Sequence, residues 1–324
     1  MGEANSSRVK GALKKLTQDY MLVIAIIILG GVFAIASPYF MTVANIRNIF
    51  WQTASLSIVA IGQAVVLICG YFDMSLGQNV CFVTILGAVL MVDKGWNPYV
   101  TILFILIVGA GIGLVNGVLV AYLNVPAFVA TLGTQMVCKG CAKMLTNATP
   151  VPNLPDSIAW IGRSSLGGKQ GLPYCIIIML VLYAVFAFIL RRTRFGRETY
   201  EVGGNSEAAY FAGINVKKHI TAVFTLAGFM AALGGTVLMS RLNTGAITNG
   251  NLYEFDTMIA CVIGGVSMTG GKGKIWQAFF GAIFLMEFFN GMNMMNVNSF
   301  MQDALKGIIL VGAVLLDIAR NKKR

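Results

Sequence analysis

RRTRFGRETYEVGGNSEAAYFAGINVKK, residues 191–218, is a polar, basic island in a chain that is otherwise mostly apolar. Six of its positions are Lys or Arg: Arg191, Arg192, Arg194, Arg197, Lys217 and Lys218. Apolar runs at 172–190 and 219–240 flank it, and a bilayer core takes roughly 20 helical residues to cross. Six positive charges between two spans mark the stretch as a cytoplasmic loop, because short cytoplasmic loops retain Lys and Arg. Within it, Ser206 is placed to cap a short helix over 207–212, with Gly213 stopping it. A small face (Ala208, Ala209, Ala212) beside an aromatic edge (Tyr210, Phe211) suits docking into another protein's groove. A solvated connector is the plain alternative.

Composition sets the class. The 324 residues are 57% hydrophobic and 11% charged, against about 25% charged in ordinary globular domains. So few charges cannot cover a water-soluble fold of this length, so the expectation is an all-α polytopic membrane protein. The net charge of +11 gathers at the chain ends, in residues 191–218 and at Lys272 and Lys274. Positive-inside bias and anionic lipid account for it. The basic patches with interleaved aromatics that nucleic-acid binding needs are absent. The six cysteines fall in or beside apolar runs. Cys138-x-x-Cys141 has metal or redox spacing, but no second pair or nearby His completes a site, so two small residues one turn apart account for it. His219, the single histidine, reads as interfacial.

Outward from the basic stretch, the apolar runs number ten: 20–36, 50–69, 78–92, 99–121, 127–145, 172–190, 219–240, 255–268, 275–292 and 302–319. Residues 1–19 carry Arg8, Lys10, Lys14 and Lys15 and, with the apolar run 20–36 and its Ala34-Ile35-Ala36, imitate a cleavable signal peptide. With so many spans following, they read as a cytoplasmic segment before an uncleaved first helix. Residues 20–319 then form one transmembrane domain, some of its helices broken or re-entrant, and 320–324 a basic cytoplasmic tail. Basic termini on one side require an even number of spans, which ten satisfies. Gly109, Gly111, Gly113 and Gly117 would let the fourth helix approach a neighbour closely. Gly70–Gly77 and Gly264–Gly271 echo each other after apolar runs, as repeats in transporters do near broken helices.

Several stretches together resemble the ribose/xylose/galactose branch of ABC importer permeases. Gly70 to Gly77 is similar to G-x-x-D-L-S-x-G, with Met74 and Leu76 as departures. Val125 to Thr134 is similar to V-P-x-F-x-x-T-L-G-T, and Tyr253 to Asp256 to Y-E-x-D. Gly264-Gly265 to Gly273 is similar to G-G-x-x-x-x-G-G-x-G. Glu207-Ala208-Ala209 with Gly213 is similar to the E-A-A-x-x-x-G pattern of the coupling loop, which in that family an ATPase subunit grips. Gly196, Arg197 and Asn205 belong to the same matched region. The resemblance implies a homodimeric permease in the bacterial inner membrane, both termini cytoplasmic. It also implies a separate ABC ATPase that uses ATP and Mg, and an extracytoplasmic sugar-binding protein.

A substrate path is sketched by Asp73, Ser75, Asn116, Phe128, Thr131, Gln135 and Asn290. A carboxylate at membrane depth is costly unless it faces protein or water. Asp73 therefore fits either a path lining or a helix-end group satisfied by backbone amides. Phe128, Thr131 and Gln135 recur at helical spacing, and a ring beside hydroxyl and amide groups suits a sugar. Core packing is the rival role for Phe128, and helix-to-helix hydrogen bonding for Asn116 and Asn290. Glu254 and Asp256 are expected at the outer mouth, meeting a binding protein or pairing with Arg241. No G-x-x-x-x-G-K-[ST] occurs and no catalytic constellation is visible, so the chain reads as a non-enzymatic subunit with no cofactor or metal of its own. An ion-gradient-driven transporter of a small polar solute is the alternative, with Asp73, Asp303 and above all Glu287 as its carboxylates. A membrane-embedded enzyme is a further rival.

Overall fold

A computed structural model describes residues 21–168 and 171–322. The basic segment placed at 1–19 lies outside them. Each of the ten apolar runs overlaps a helix, the run 255–268 only as far as Gly264: α1 (Met21–Ala36), α2 (Val43–Ile68), α3 (Leu76–Ala88), α4 (Pro98–Ala121) and α5 (Ala127–Thr146) come first. After a short α6 (Ala159–Gly162) come α7 (Tyr174–Arg192), α8 (Arg194–Gly204), α9 (Ser206–Phe211) and α10 (Val216–Leu242). The chain closes with α11 (Tyr253–Gly264), α12 (Ile275–Met294) and α13 (Ser299–Lys322). Among the described residues six helices are long and apolar enough to cross a membrane: α2, α3 with the π turn Val89–Asp93 that continues it, α4, α7, α10 and α12. The other four, α1, α5, α11 and α13, fall short on length or apolarity, so length and composition carry six spans rather than ten.

The boundaries follow local chemistry. Asn97 accepts from the Tyr99 and Val100 amides and Pro98 opens α4, a position where the missing N–H costs nothing. Pro126 and Pro173 stand directly before α5 and α7. Asn147 and Asn243 end α5 and α10 in the left-handed region, at φ 48° and 57°.

Helix α2 is the axis of the bundle. From Thr53 to Ile68 every residue is buried, and α7, α10, α11 and α12 pack around it. Its apolar residues need no polar face because no side meets the surface. By contrast, α4 buries only one stripe, which it presses on α10. Gly109, Gly113 and Gly117 recur every fourth residue, and a Cβ at any of them would strike Ala232, Phe224 or Thr221. Close backbone approach of this kind substitutes for hydrophobic driving force between helices in lipid. Gly111 faces open space.

The connector between α5 and α7 departs from pure helix. Val151–Pro152 (β1) pairs antiparallel with Thr244–Gly245 (β4), and Ser165–Leu166 (β2) with Leu172–Pro173 (β3). These two-residue ribbons cap the end of the bundle where α2 begins. Trp51 Nε1 donates to Gly162 O at 2.6 Å and Arg47 Nη2 to Ser165 Oγ at 2.7 Å. The other end of α2 meets α8 and the α11–α12 turn, so α2 runs the length of the molecule.

Candidate functional site

The site begins where α2 stops. Gly70 takes φ +86°, a conformation that only glycine adopts without strain, and the chain runs irregularly to Ser75 before α3 starts. Asp73 lies in this break with no solvent exposure. Its Oδ1 accepts from the Ser75 amide at 2.8 Å and from Ser75 Oγ at 2.6 Å. Ser75 Oγ in turn accepts from Asn116 Nδ2 at 2.8 Å, and Asn116 Oδ1 from Thr134 Oγ1 at 2.6 Å. A single chain of hydrogen bonds therefore ties the break to α4 and α5. Thr131, one turn before Gln135, adds a second tie by accepting from the Met74 amide at 3.1 Å.

One turn further along α5, Gln135 Nε2 donates to Glu254 Oε1 at 2.8 Å. Glu254 is 2% exposed and lies across α3 at Gly77, where any Cβ would overlap its Oε2. The glycine that closes the Gly70–Gly77 stretch is there to admit this carboxylate. Asp73 Oδ2, Glu254 Oε2 and Gln135 Oε1 are buried without a hydrogen-bond partner. Unpaired buried polar oxygens cost about 1–3 kcal/mol each, so three along one seam of α5 form a row of open acceptors.

The sketched residues divide into three places. Asp73, Ser75, Asn116, Thr131 and Gln135 share the seam, and Glu254 joins them from α11. Phe128 stands apart at the start of α5, 54% exposed, so it does not share a buried face with Thr131 and Gln135. Asn290 is elsewhere: its Oδ1 accepts from Asn45 Nδ2 at 2.9 Å, at the opposite end of α2. Asn45 lies about 35 Å from Ile68 along the helix at 1.5 Å per residue. Glu287 is beside it, against Gly30 of α1.

Glu254 and Asp256, expected at a rim, are both interior, and neither pairs with Arg241. Tyr253 OH lies 3.2 Å from Ser55 Oγ, halfway along α2, so α11 begins inside the bundle. Asp256 is bound by Lys306 Nζ of α13 at 3.2 Å, and that ammonium also sits 4.7 Å over the Phe289 ring.

The basic stretch forms α8 and α9. The α9 cap is Asn205, whose side chain accepts from the Ala208 amide at 2.9 Å, not Ser206. Asn205 is extended (φ −161°, ψ 104°) and Ser206 is already helical. Gly213, at φ +86°, ends the turn. Ala209 is buried, whereas Glu207, Ala208, Tyr210, Phe211 and Ala212 are exposed. Tyr210 and Phe211, 67% and 78% exposed, meet edge to face with centroids 5.7 Å apart. Gly196 is buried against Leu190 of α7 and Arg197 is exposed.

What holds α8 down escaped the sequence. Gly203 is packed so closely on Ile68 O that a Cβ would overlap it, and Gly271 N donates to that same carbonyl at 2.8 Å. Gly270 packs on Gly203 and Gly70. Tyr200 OH donates to Gly273 O at 2.7 Å. His219 is locked between Glu198 (3.3 Å) and Thr199 (3.0 Å), fastening α8 to α10. The glycine pairs at 203–204 and 270–271, with Gly70, were the available signal. Among the described residues no group of His, Cys, Asp and Glu could hold a metal.

A family model described as branched-chain amino acid transport system / permease component matches residues 45–314. Among curated proteins, the probable ABC transporter permease protein YphD of Escherichia coli K12 is 36% identical, covering 99% of this chain and 96% of its own. The ribose import permease protein RbsC of the same strain is 36% identical over 93% of each chain. Its xylose transport system permease protein XylH is 31% identical over the full length of both. No solved structure matches the chain.

Proposed function

Because the chain belongs to the family of ABC transport-system permease components, we propose that it forms the path for a simple sugar in an ATP-driven importer. The relatives named for ribose and xylose support the sugar class. None of them supports an ion-gradient-driven transporter. In this reading ATP and Mg belong to a partner ATPase, consistent with a sequence that carries no G-x-x-x-x-G-K-[ST]. A sugar-binding protein on the outer face and a second permease copy complete the assembly. The helices at the ten apolar runs lie in the inner membrane, the six long ones crossing it and short ones such as α11 entering it as broken or re-entrant segments, with both termini and the α8–α9 region in the cytoplasm.

The observation that carries the reading is the contact of α8 with both helix breaks. Gly203 touches Ile68 and Gly271, so force applied to the exposed α9 reaches the α2–α3 and α11–α12 breaks through backbone, with no flexible side chain between. Closure of the ATPase dimer on α9 would then shift the break that holds Asp73. Ser75, Asn116 and Thr134 would pass that shift to α5, while Gln135 and Glu254 exchange their mutual bond for the hydroxyls of the passing sugar. Open acceptors on Asp73, Glu254 and Gln135 suit hydroxyl donors.

The test is uptake of a radiolabelled sugar panel together with ATP hydrolysis in membrane vesicles. Gly213→Pro is expected to uncouple the two, since proline cannot take φ +86°, and Glu207→Arg to do the same through the exposed helix face. The protein should still insert. Unchanged uptake in both variants would remove α9 from the coupling path.

A further inference from the structure

We propose that the groove between α4, α7, α8 and α10 binds one anionic phospholipid. The groove has a volume of about 750 Å³ and is walled by Leu114, Phe186, Ile189, Phe195, Ala222 and Leu226. Thr221 and Thr225 also line it, but their hydroxyls donate to Lys217 O and Thr221 O of their own helix at 2.9 and 2.8 Å. Those hydroxyls are thus engaged within α10, and the walls are predominantly apolar.

Charge marks one end of this cleft. Lys218 lines the mouth together with Tyr122, and the Lys217 ammonium sits 5.7 Å over the Tyr122 ring, which holds that cation beside the opening. Among the described residues neither lysine meets a carboxylate. Of the two acids on α8, Glu198 is occupied by Arg194 at 2.6 Å and His219 at 3.3 Å, and Glu201 forms no ion pair with either lysine.

Depth agrees with this chemistry. The 27 residues of α10 span about 40 Å, against a hydrocarbon core of about 30 Å. Its first turn, with Lys217 and Lys218, thus reaches the headgroup layer while Thr225 and Leu226 lie among acyl chains. An apolar slot with two ammonium groups at headgroup level matches a phosphate-bearing lipid, acyl chain inward. The basic segment at 1–19 would bring like charge to the lysines, which argues against it as the occupant.

Native mass spectrometry of the full-length chain, purified with the partners it retains, tests this. The probes are phosphatidylglycerol and phosphatidylcholine with identical acyl chains, supplied in equal amounts in mixed micelles. Wild type is expected to retain one phosphatidylglycerol with a preference of roughly ten- to thirtyfold, the effect of two lysines facing an anion. The double variant Lys217→Glu/Lys218→Glu should lose the preference, as should the milder Lys217→Gln/Lys218→Gln. Leu226→Trp, which fills the slot, should lower retention of both lipids. Equal retention of the two headgroups by wild type would overturn the proposal, as would an undiminished preference in both lysine variants. So would a Thr225→Cys variant that cross-links two copies through the groove and carries no lipid.

Discussion

The break at Gly70–Gly77 carries its own carboxylate, Asp73, whose hydrogen-bonded chain runs on through Ser75 and Asn116 to Thr134. At Gly264–Gly271 the carboxylate comes from outside: Asp317 of α13 accepts from the Met268 amide at 3.1 Å, while Ser267 and Thr269 share a hydroxyl contact of 2.9 Å. The two breaks meet at the same carbonyl, Ile68 O, so on the proposed coupling a single push would reach both. They differ in where the push goes next. The first break is wired by side chains to α4 and α5, and the second is fastened to the last helix, α13. On the proposed coupling, this unequal side-chain wiring would make the first break the transmitting one and the second the anchor.

The strongest way to break this comparison is to separate both hairpins from α8 at once. Gly203→Ala introduces a Cβ that overlaps Ile68 O and lies 2.8 Å from Gly271 N. Overpacking of this kind costs about 1–3 kcal/mol, and roughly a hundredfold loss of uptake is expected at unchanged membrane levels. Uptake within twofold of wild type would mean the junction is slack. Next, Asp73→Ala strips the acceptor from the Ser75 amide and hydroxyl at a cost of about 2 kcal/mol, lowering uptake roughly thirtyfold. Asp73→Asn, which keeps an acceptor oxygen, should fall between that and wild type.

Thr134→Val cuts the far end of the wiring and removes one hydrogen bond, worth about 1 kcal/mol. In detergent its thermal midpoint should drop by about 2–4 °C, with uptake reduced less than in Asp73→Ala. A Thr134→Val protein as impaired as Asp73→Ala would show that the chain acts as one unit, sharpening the comparison. The smallest effect belongs to the anchoring break. Asp317→Asn retains an oxygen for the Met268 amide, so its uptake should stay within about twofold of wild type, a change under 0.5 kcal/mol. If it matched Asp73→Ala in severity, the division of labour between the breaks would fail.

What the sequence disclosed was what is local. Ten apolar runs became helices because a run of that length has few other ways to satisfy its backbone in lipid. The breaks at Gly70 and Gly265 were visible as glycines after such runs, and the α9 turn as a capped segment ending in Gly213. Asp73 with Ser75 is likewise a two-residue affair. The partner of Gln135, 119 positions away, was not visible, since nothing in the spacing of α5 points to α11. Placing Glu254 at a rim followed from counting spans as full crossings, whereas α11 has 12 residues and begins beside the middle of α2. The Gly203 junction escaped for a related reason: it is a contact between backbones, and backbones leave no residue-type signature beyond the glycines themselves.

Helix α2, 26 residues and about 39 Å long, is clamped at both tips, by Gly203 and Gly271 at Ile68 and by Gly162 and Ser165 at Trp51 and Arg47. A rod so held has little room to bend, so axial travel at one tip must reappear at the other. On the proposed coupling, the ribbons capping the far end would ride on the same piston that the near end drives, and the two faces of the molecule would keep time without any signal having to cross the seam between them.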